Sequence, residues 1–275
     1  MPSLIALLLS AELLLQPGSA LPGDVVLLTV TGVDQVPVGW LGKRPLAFFP
    51  SPGGFWALVG LKVDEPQGEL PVTIDAIHAS KRVKLGGSLE VRPPAFRHRS
   101  LSVAKRFTSP STEDLRHSER DQRAFRKAFD QRLGPFLFES DFAWPRKDLV
   151  AAPFGDLRLF NGKQQSQHLG VDLDGEMGDP VTAANDGDVV LVRECFASGG
   201  TVLVHHGGRL FTAYFHLSRF DVAQGDHVTK GQLLGLVGQS GRVTGPHLHF
   251  GVKLDGRWVN PESLLSLQFS APDLR

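Results

Sequence analysis

The sequence predicts a mainly β protein: an amino-terminal β-sandwich, a helical linker and a carboxy-terminal antiparallel β-sheet domain containing a duplicated hairpin motif. Three observations carry this expectation. Thirty glycines and nineteen prolines supply frequent turns. The runs between them are short and rich in Val, Leu and Phe, and a charged, irregular stretch separates two strand-rich regions. At 275 residues and 41% hydrophobic composition, the chain is long enough for two domains with packed cores. Lys and Arg number 29, as do Asp and Glu, so no net basic field draws the chain to nucleic acid. The single cysteine, Cys195, excludes an internal disulfide and a cysteine-rich zinc cluster. Any metal must be held by His, Asp or Glu.

Residues 1–20 carry an apolar run from Leu4 to Leu15 followed by Gly18-Ser19-Ala20. This pattern predicts a signal peptide and hence export, although the start lacks a Lys or Arg and Glu12 interrupts the run. The run is too short to span a membrane, so no stable span is expected in the mature chain. Residues 22–93 read as strands at sandwich spacing: DVVLLTVTGV, PLAFFPS, FWALVGL, LPVTIDAI and KRVKLGGSLEV. Pro93-Pro94 ends that pattern and opens the charged linker, residues 94–148. Within it Ser111 can cap a helix whose first turn holds Glu113 and Asp114, with Leu115, Phe125 and Phe129 as a sparse apolar stripe and Gly134 as its stop. The remaining Arg and Glu residues read as a solvated face. The linker is long enough to lie over a cleft.

Residues 149–267 are again strand-rich, with 268–275 as a tail. Here GDPVTAANDGDVV, from Gly178, aligns with GDHVTKGQLLGLV, from Gly225. Two copies are too few for a solenoid and suit a compact sheet built by duplication.

The chemistry-bearing residues cluster in the same region. In GPHLHFGV, His247 and His249 share a strand face with Cβ atoms about 6.5–7 Å apart, close enough to converge on one small object. In HLGVD, His168 and Asp172 would lie about 13 Å apart on a straight strand, too far to share a metal. A bend at Gly170, with His168 on a loop and Asp172 entering a strand, would bring them together. In TAYFHLS, alternation places Thr212, Tyr214 and His216 on one face. His205, His206 and His227 read as solvated polar residues. Together these motifs can supply two imidazoles, one carboxylate and an open position for water, the layout of a catalytic zinc site.

From about Phe154 to Leu265 the chain resembles the LytM, or lysostaphin-type, zinc metalloendopeptidases. The resemblance rests on FGDLRLFNG, HLGVD, the glycine-rich repeat, TAYFHLS, GQLLGLVGQSGRVTGPHLHFGV and NPESLL. It implies one Zn2+ per chain held by His168, Asp172 and His249, with His216 and His247 as catalytic, non-ligating histidines. It further implies a peptidoglycan peptide as substrate, cut in the cross-link or stem peptide, and a periplasmic or cell-envelope location. Asn161 and Tyr214 are candidate substrate contacts. KQQSQ before His168, Leu157 beside Arg158, and Asp174 and Glu176 depart from the usual pattern and leave contacts at the cleft rim open. The alternative is a non-catalytic, wall-binding regulator of another hydrolase; retention of all five site positions favours the enzyme.

Overall fold

The computed structural model describes residues 10–147, 149–162 and 164–269. The amino-terminal part contains β1 (Glu12–Gln16), β2 (Ser19–Ala20), β3 (Val25–Thr31), β4 (Val38–Leu41), β5 (Arg44–Pro45), β6 (Phe49–Ser51), β7 (Gly54–Gly60), β8 (Gly68–His78) and β9 (Lys81–Val91). They form the expected sandwich, with one sheet ordered β1-β3-β7-β6 and the other β2-β9-β8-β4-β5. Val26, Leu28, Val30 and Ala57 meet Val72, Ile74, Leu89 and Val91 between the sheets.

The first sheet is apolar on both faces. Val25, Leu27, Trp56 and Leu58 point away from the sandwich into the core of the carboxy-terminal domain, and the Trp56 ring lies 5.4 Å from Phe269. This double burial explains the unbroken run VVLL, where a strand with one wet face would alternate. Polar contacts also fix the junction: the Val25 amide donates to Ser263 Oγ at 2.8 Å, and Asn260 Nδ2 donates to Asp24 Oδ1 at 2.9 Å.

The sandwich begins earlier than expected. β1 pairs antiparallel with β3 from Glu12↔Thr31 to Gln16↔Leu27, so the second half of the apolar leader is an edge strand of the first sheet. Residues 1–9, the rest of the expected signal peptide, lie outside the described residues, as does most of the 268–275 tail.

The stretch expected as a linker is part of the second domain. β10 (His98–Leu101) pairs in parallel with β12 (Leu157–Phe160), which pairs in turn with β13 (Gln164–Gln167). α1 (Thr112–Phe129) starts at Ser111 with a reciprocal capping box to Asp114. It stops at Phe129, short of Gly134. Its packing face is Ala128, supported by Ala124, Phe125 and Phe129, against Leu203, Ala213 and Phe215; Leu115 is exposed. The carboxylate of Asp121 accepts from Arg193 Nε at 2.8 Å and the Phe196 amide at 2.7 Å, which fastens the helix to the sheet.

The remaining elements are β11 (Val150–Ala152), β14 (Val171–Asp174), β15 (Pro180–Thr182), β16 (Gly187–Cys195), β17 (Gly199–His205), β18 (Leu210–Phe220), β19 (His227–Val228), β20 (Leu233–Val237), β21 (His247–Leu254), β22 (Arg257–Val259) and α2 (Pro261–Leu265). The central path runs β11-β14-β21-β18-β17-β16-β19. The duplicated segments do not form two separate hairpins. β15 of the first copy pairs with β20 of the second, and β19 of the second pairs with β16 of the first.

Candidate functional site

The central strands present one face to the core and the other to α1 and, beside it, a cleft. On β21, Leu248, Phe250 and Val252 enter the core, so alternation sends His247 and His249 outward. On β14, Val171 and Leu173 are core residues and Asp172 and Asp174 face outward. The antiparallel register sets Asp172 directly opposite His249, and Asp174 opposite His247. Sheet pairing alone thus brings a carboxylate to the expected histidine pair.

His168 arrives from the loop between β13 and β14. Its Nδ1–H donates to the Pro153 carbonyl at 2.8 Å, which leaves Nε2 as the lone-pair atom. That atom lies 2.9 Å from Asp172 Oδ1 and 3.0 Å from His249 Nδ1. The third side of the triangle, His249 Nδ1 to Asp172 Oδ1, is 2.8 Å. Burial raises the cost of ionising Asp172, but its contacts with the His168 and His249 rings outweigh it and hold the carboxyl well below its ordinary range. Burial pushes the His249 ring down to about 4 despite the carboxylate beside it.

The chain bends at Gly170 as expected, with His168 on the loop before it and Asp172 in β14. Its φ is not positive; the glycine also provides clearance. A Cβ there would stand 2.5 Å from His249 Nε2 and 2.6 Å from the Phe250 carbonyl oxygen.

His216 reaches the cleft by breaking alternation. Tyr214 is opposite the core residue Phe250, and Phe215 is opposite His249. Regular alternation would return His216 to the core side. Instead the register of β18 slips between its pairings with Gly200 and Val202, and His216 takes φ +67°. Left-handed backbone at a non-glycine residue costs about 1–3 kcal/mol and concentrates at functional sites. The bulge turns His216 to the same side as Phe215, with its ring 4.9 Å from His247 and 6.1 Å from His249. His216 Nδ1–H donates to the Ser240 carbonyl at 2.8 Å. Burial first, then the neighbouring His247 and His249, push its pKa down to about 3. His247 Nδ1–H donates to the Gly245 carbonyl at 2.9 Å, while its Nε2 is 3.7 Å from Asp172 Oδ1.

Three expectations are corrected. Tyr214 does not share a face with His216 and cannot meet a substrate: it is 0% exposed, and its hydroxyl lies 2.8 Å from the Ala184 amide and 3.0 Å from Thr212 Oγ1. Asn161 is not a cleft contact either. Its side chain is spent on the Val103 amide and carbonyl, both at 2.9 Å, and on Thr108 Oγ1 at 3.2 Å. It pins the stretch after β10 to β12. The buried contacts around Thr212 and Tyr214 also correct His206, expected to be solvated: it is fully enclosed, between the Asp186 carbonyl and Thr212 Oγ1 at 2.7 Å each.

Arg158 is a site residue that strand spacing could not reveal. It comes from β12 and its Nη2 donates to Asp172 Oδ2 at 2.6 Å. This contact occupies one carboxylate oxygen and leaves the other, Oδ1, facing the two imidazoles. Among the described residues, His168, Asp172 and His249 form a group able to hold a metal ion. The donor set fits a zinc-type cation. Bonds of about 2.0–2.1 Å in a tetrahedron place ligand atoms about 3.3 Å apart, and the triangle of 2.8–3.0 Å needs only slight expansion.

Residues 166–261 match the model of peptidase family M23. The peptidoglycan DD-endopeptidase ShyA of Vibrio cholerae is 32% identical over 178 residues, 64% of this chain and 38% of that protein. The DD-carboxypeptidase/endopeptidase Mpg of Neisseria meningitidis is 40% identical over 97 residues, 35% of this chain and 22% of that one. The chain therefore spans well under half the length of these curated relatives. A solved Pseudomonas aeruginosa chain assigned to peptidase M23 superposes with a TM-score of 0.65 at 27% identity, covering 89% of this chain and 94% of that one. That likeness takes in the sandwich as well as the cleft.

Proposed function

We propose, from the premise that the carboxy-terminal domain of this chain is a member of peptidase family M23, that the protein is a zinc-dependent endopeptidase cutting peptide bonds in peptidoglycan cross-links or stem peptides. The observation that carries the reading is the convergence of His168 Nε2, Asp172 Oδ1 and His249 Nδ1 beside two further imidazoles anchored through Nδ1. The substrate class, and with it action in the cell envelope, is carried over from relatives named for peptidoglycan. Among the described residues no helix is long and apolar enough to cross a membrane.

His168, Asp172 and His249 would hold the zinc and leave a coordination position open. A zinc ion bound there supplies Lewis acidity and lowers the pKa of water toward neutrality. The other tasks fall to the chain. Arg158 orients the Asp172 carboxylate so that one oxygen serves as ligand. The Nδ1 proton of His216 is held by the Ser240 carbonyl, which leaves Nε2 with the lone pair that can accept a proton from water. His247, anchored in the same way to Gly245, keeps Nε2 available beside it. Between them the two rings can take up a proton and return one to the leaving amine.

The test is digestion of purified peptidoglycan by the full chain, with and without chelator, followed by mass analysis of the products. Peptide-bond products that vanish with chelator and return with added zinc are expected. A folded, zinc-loaded protein that releases no such products would overturn the proposal.

A further inference from the structure

One wall of the cleft carries more positive charge than its own carboxylates neutralise. Arg99, Arg158 and Arg242 line a cavity of about 210 Å³ together with Asp172, His216 and His247. Arg99 is already paired, 3.4 Å from Asp156, and Asp156 also binds Arg97 at 3.2 Å. Arg158 holds Asp172 through Nη2, yet its Nε is buried without a hydrogen-bond partner. Arg242 has no carboxylate within ion-pair distance among the described residues. Its guanidinium stacks 4.4 Å from the centre of the Phe160 ring, and its backbone is tied down by the Arg242 amide to the Ala197 carbonyl at 2.8 Å. Burial and the nearby Arg158 both oppose its charge. One further carboxylate, Asp174, lines the same cavity. It stands across the strand pair from His247 and makes no ion pair among the described residues.

A half-buried arginine stacked on an aromatic ring, with no side-chain hydrogen bond among the described residues, suits an arriving planar anion. The same residue also lines the adjoining cavity that contains His168, His216 and His249, so an anion bound to it would lie within reach of the metal triangle. We propose that Arg242, with Arg158 beside it, is a carboxylate-binding subsite, and that the peptide accepted carries a free carboxylate close to the bond presented to His216 and His247. This rests on the endopeptidase reading for its substrate class. The carboxylate has two chemical sources: the chain terminus of the peptide, or a carboxylate left free on an internal residue next to the scissile bond.

Synthetic cross-linked stem peptides distinguish them: one with both carboxylates free, one amidated only at the terminus and one amidated only at the internal position. Binding is measured by calorimetry on the full chain stripped of metal, and cleavage on the zinc-loaded chain. Amidation at one position is expected to weaken binding tenfold or more, the usual worth of a hydrogen bond to a charged group, and that position identifies the source. In Arg242→Gln the ratio between acid and amide peptides should shrink to within about twofold, and Arg242→Lys should restore part of it. Zinc content and melting temperature of each variant report on folding. Equal binding of all three peptides by the unmodified protein, or an undiminished preference in folded Arg242→Gln, overturns the subsite. A preference in binding without any cleavage supports the subsite and counts against the hydrolase reading instead.

Discussion

Replacing Gly170 by alanine is expected to weaken metal binding while leaving the protein folded. The glycine does not use a positive φ, so alanine fits the backbone and the perturbation is purely the added methyl group. That methyl would stand 2.5 Å from His249 Nε2. Ordinary contact begins near about 3.4 Å, so ring and methyl must separate by about 0.9 Å. Retreat of the methyl is blocked by the Phe250 carbonyl oxygen at 2.6 Å, which belongs to the central strand β21. The His249 ring must therefore carry most of the shift, while ligand distances in a metal site tolerate only about 0.2 Å. The expected loss is about 10- to 100-fold in zinc affinity, equivalent to about 1.4–2.7 kcal/mol. Overpacking should cost the metal-free fold a further 1–3 kcal/mol or so. Competition against a chromophoric chelator measures the first quantity and denaturant unfolding the second. A folded Gly170→Ala protein that binds zinc as tightly as the parent would refute the claim that this glycine exists to clear the ligand ring.

Other perturbations separate the remaining roles. His249→Ala should lose zinc, whereas His247→Ala should retain it and lose about 10²- to 10⁴-fold in turnover; equal zinc content in both variants would invalidate the ligand assignment. His206 lies fully buried with its pKa pushed down to about 4 from an ordinary 6.5, so the folded state prefers the neutral ring and stability falls as pH drops from 6.5 toward 4. The total is about 3 kcal/mol, at about 1.4 kcal/mol per pH unit, measurable by guanidinium unfolding of the metal-free chain. Since His216 and His249 add their own protons, the diagnostic is a slope steeper by about one proton than that of His206→Gln; identical slopes would show His206 to be silent. Trp56→Ala, at the junction of the domains, should cost about 3–5 kcal/mol and lower the melting of both domains together. Survival of the carboxy-terminal transition at its original temperature would show that they unfold independently.

Local rules made the proximity of these side chains legible, while the choice of His168, Asp172 and His249 as ligands came from the family resemblance. Period-two alternation set His247 and His249 side by side, and the impossible span from His168 to Asp172 on a straight strand required the intervening turn. The face of His216 was not legible, because a bulge and a left-handed backbone at a histidine leave no mark that residue type alone reveals, and Tyr214 was misassigned with it. The linker was misread for another reason. Its charge pattern describes the wet side of α1, while Ala124, Ala128 and Phe129, too few to form a strong stripe, are what dock it. Arg158 and Arg242 belong to segments that only tertiary packing brings to the cleft. In β3 the unbroken apolar run VVLL, taken only as a sandwich strand, reflects the two cores that meet there.

The exchange of partners between the two repeat copies has a consequence for how such a domain can be divided. Each short strand, β15 or β19, finds its hydrogen bonds on the long strand of the other copy. Half of the duplication is therefore no folding unit, and a fragment holding one copy would expose a ready edge to its twin. Two such fragments could satisfy each other only as an intertwined pair, the same architecture with the covalent connection removed.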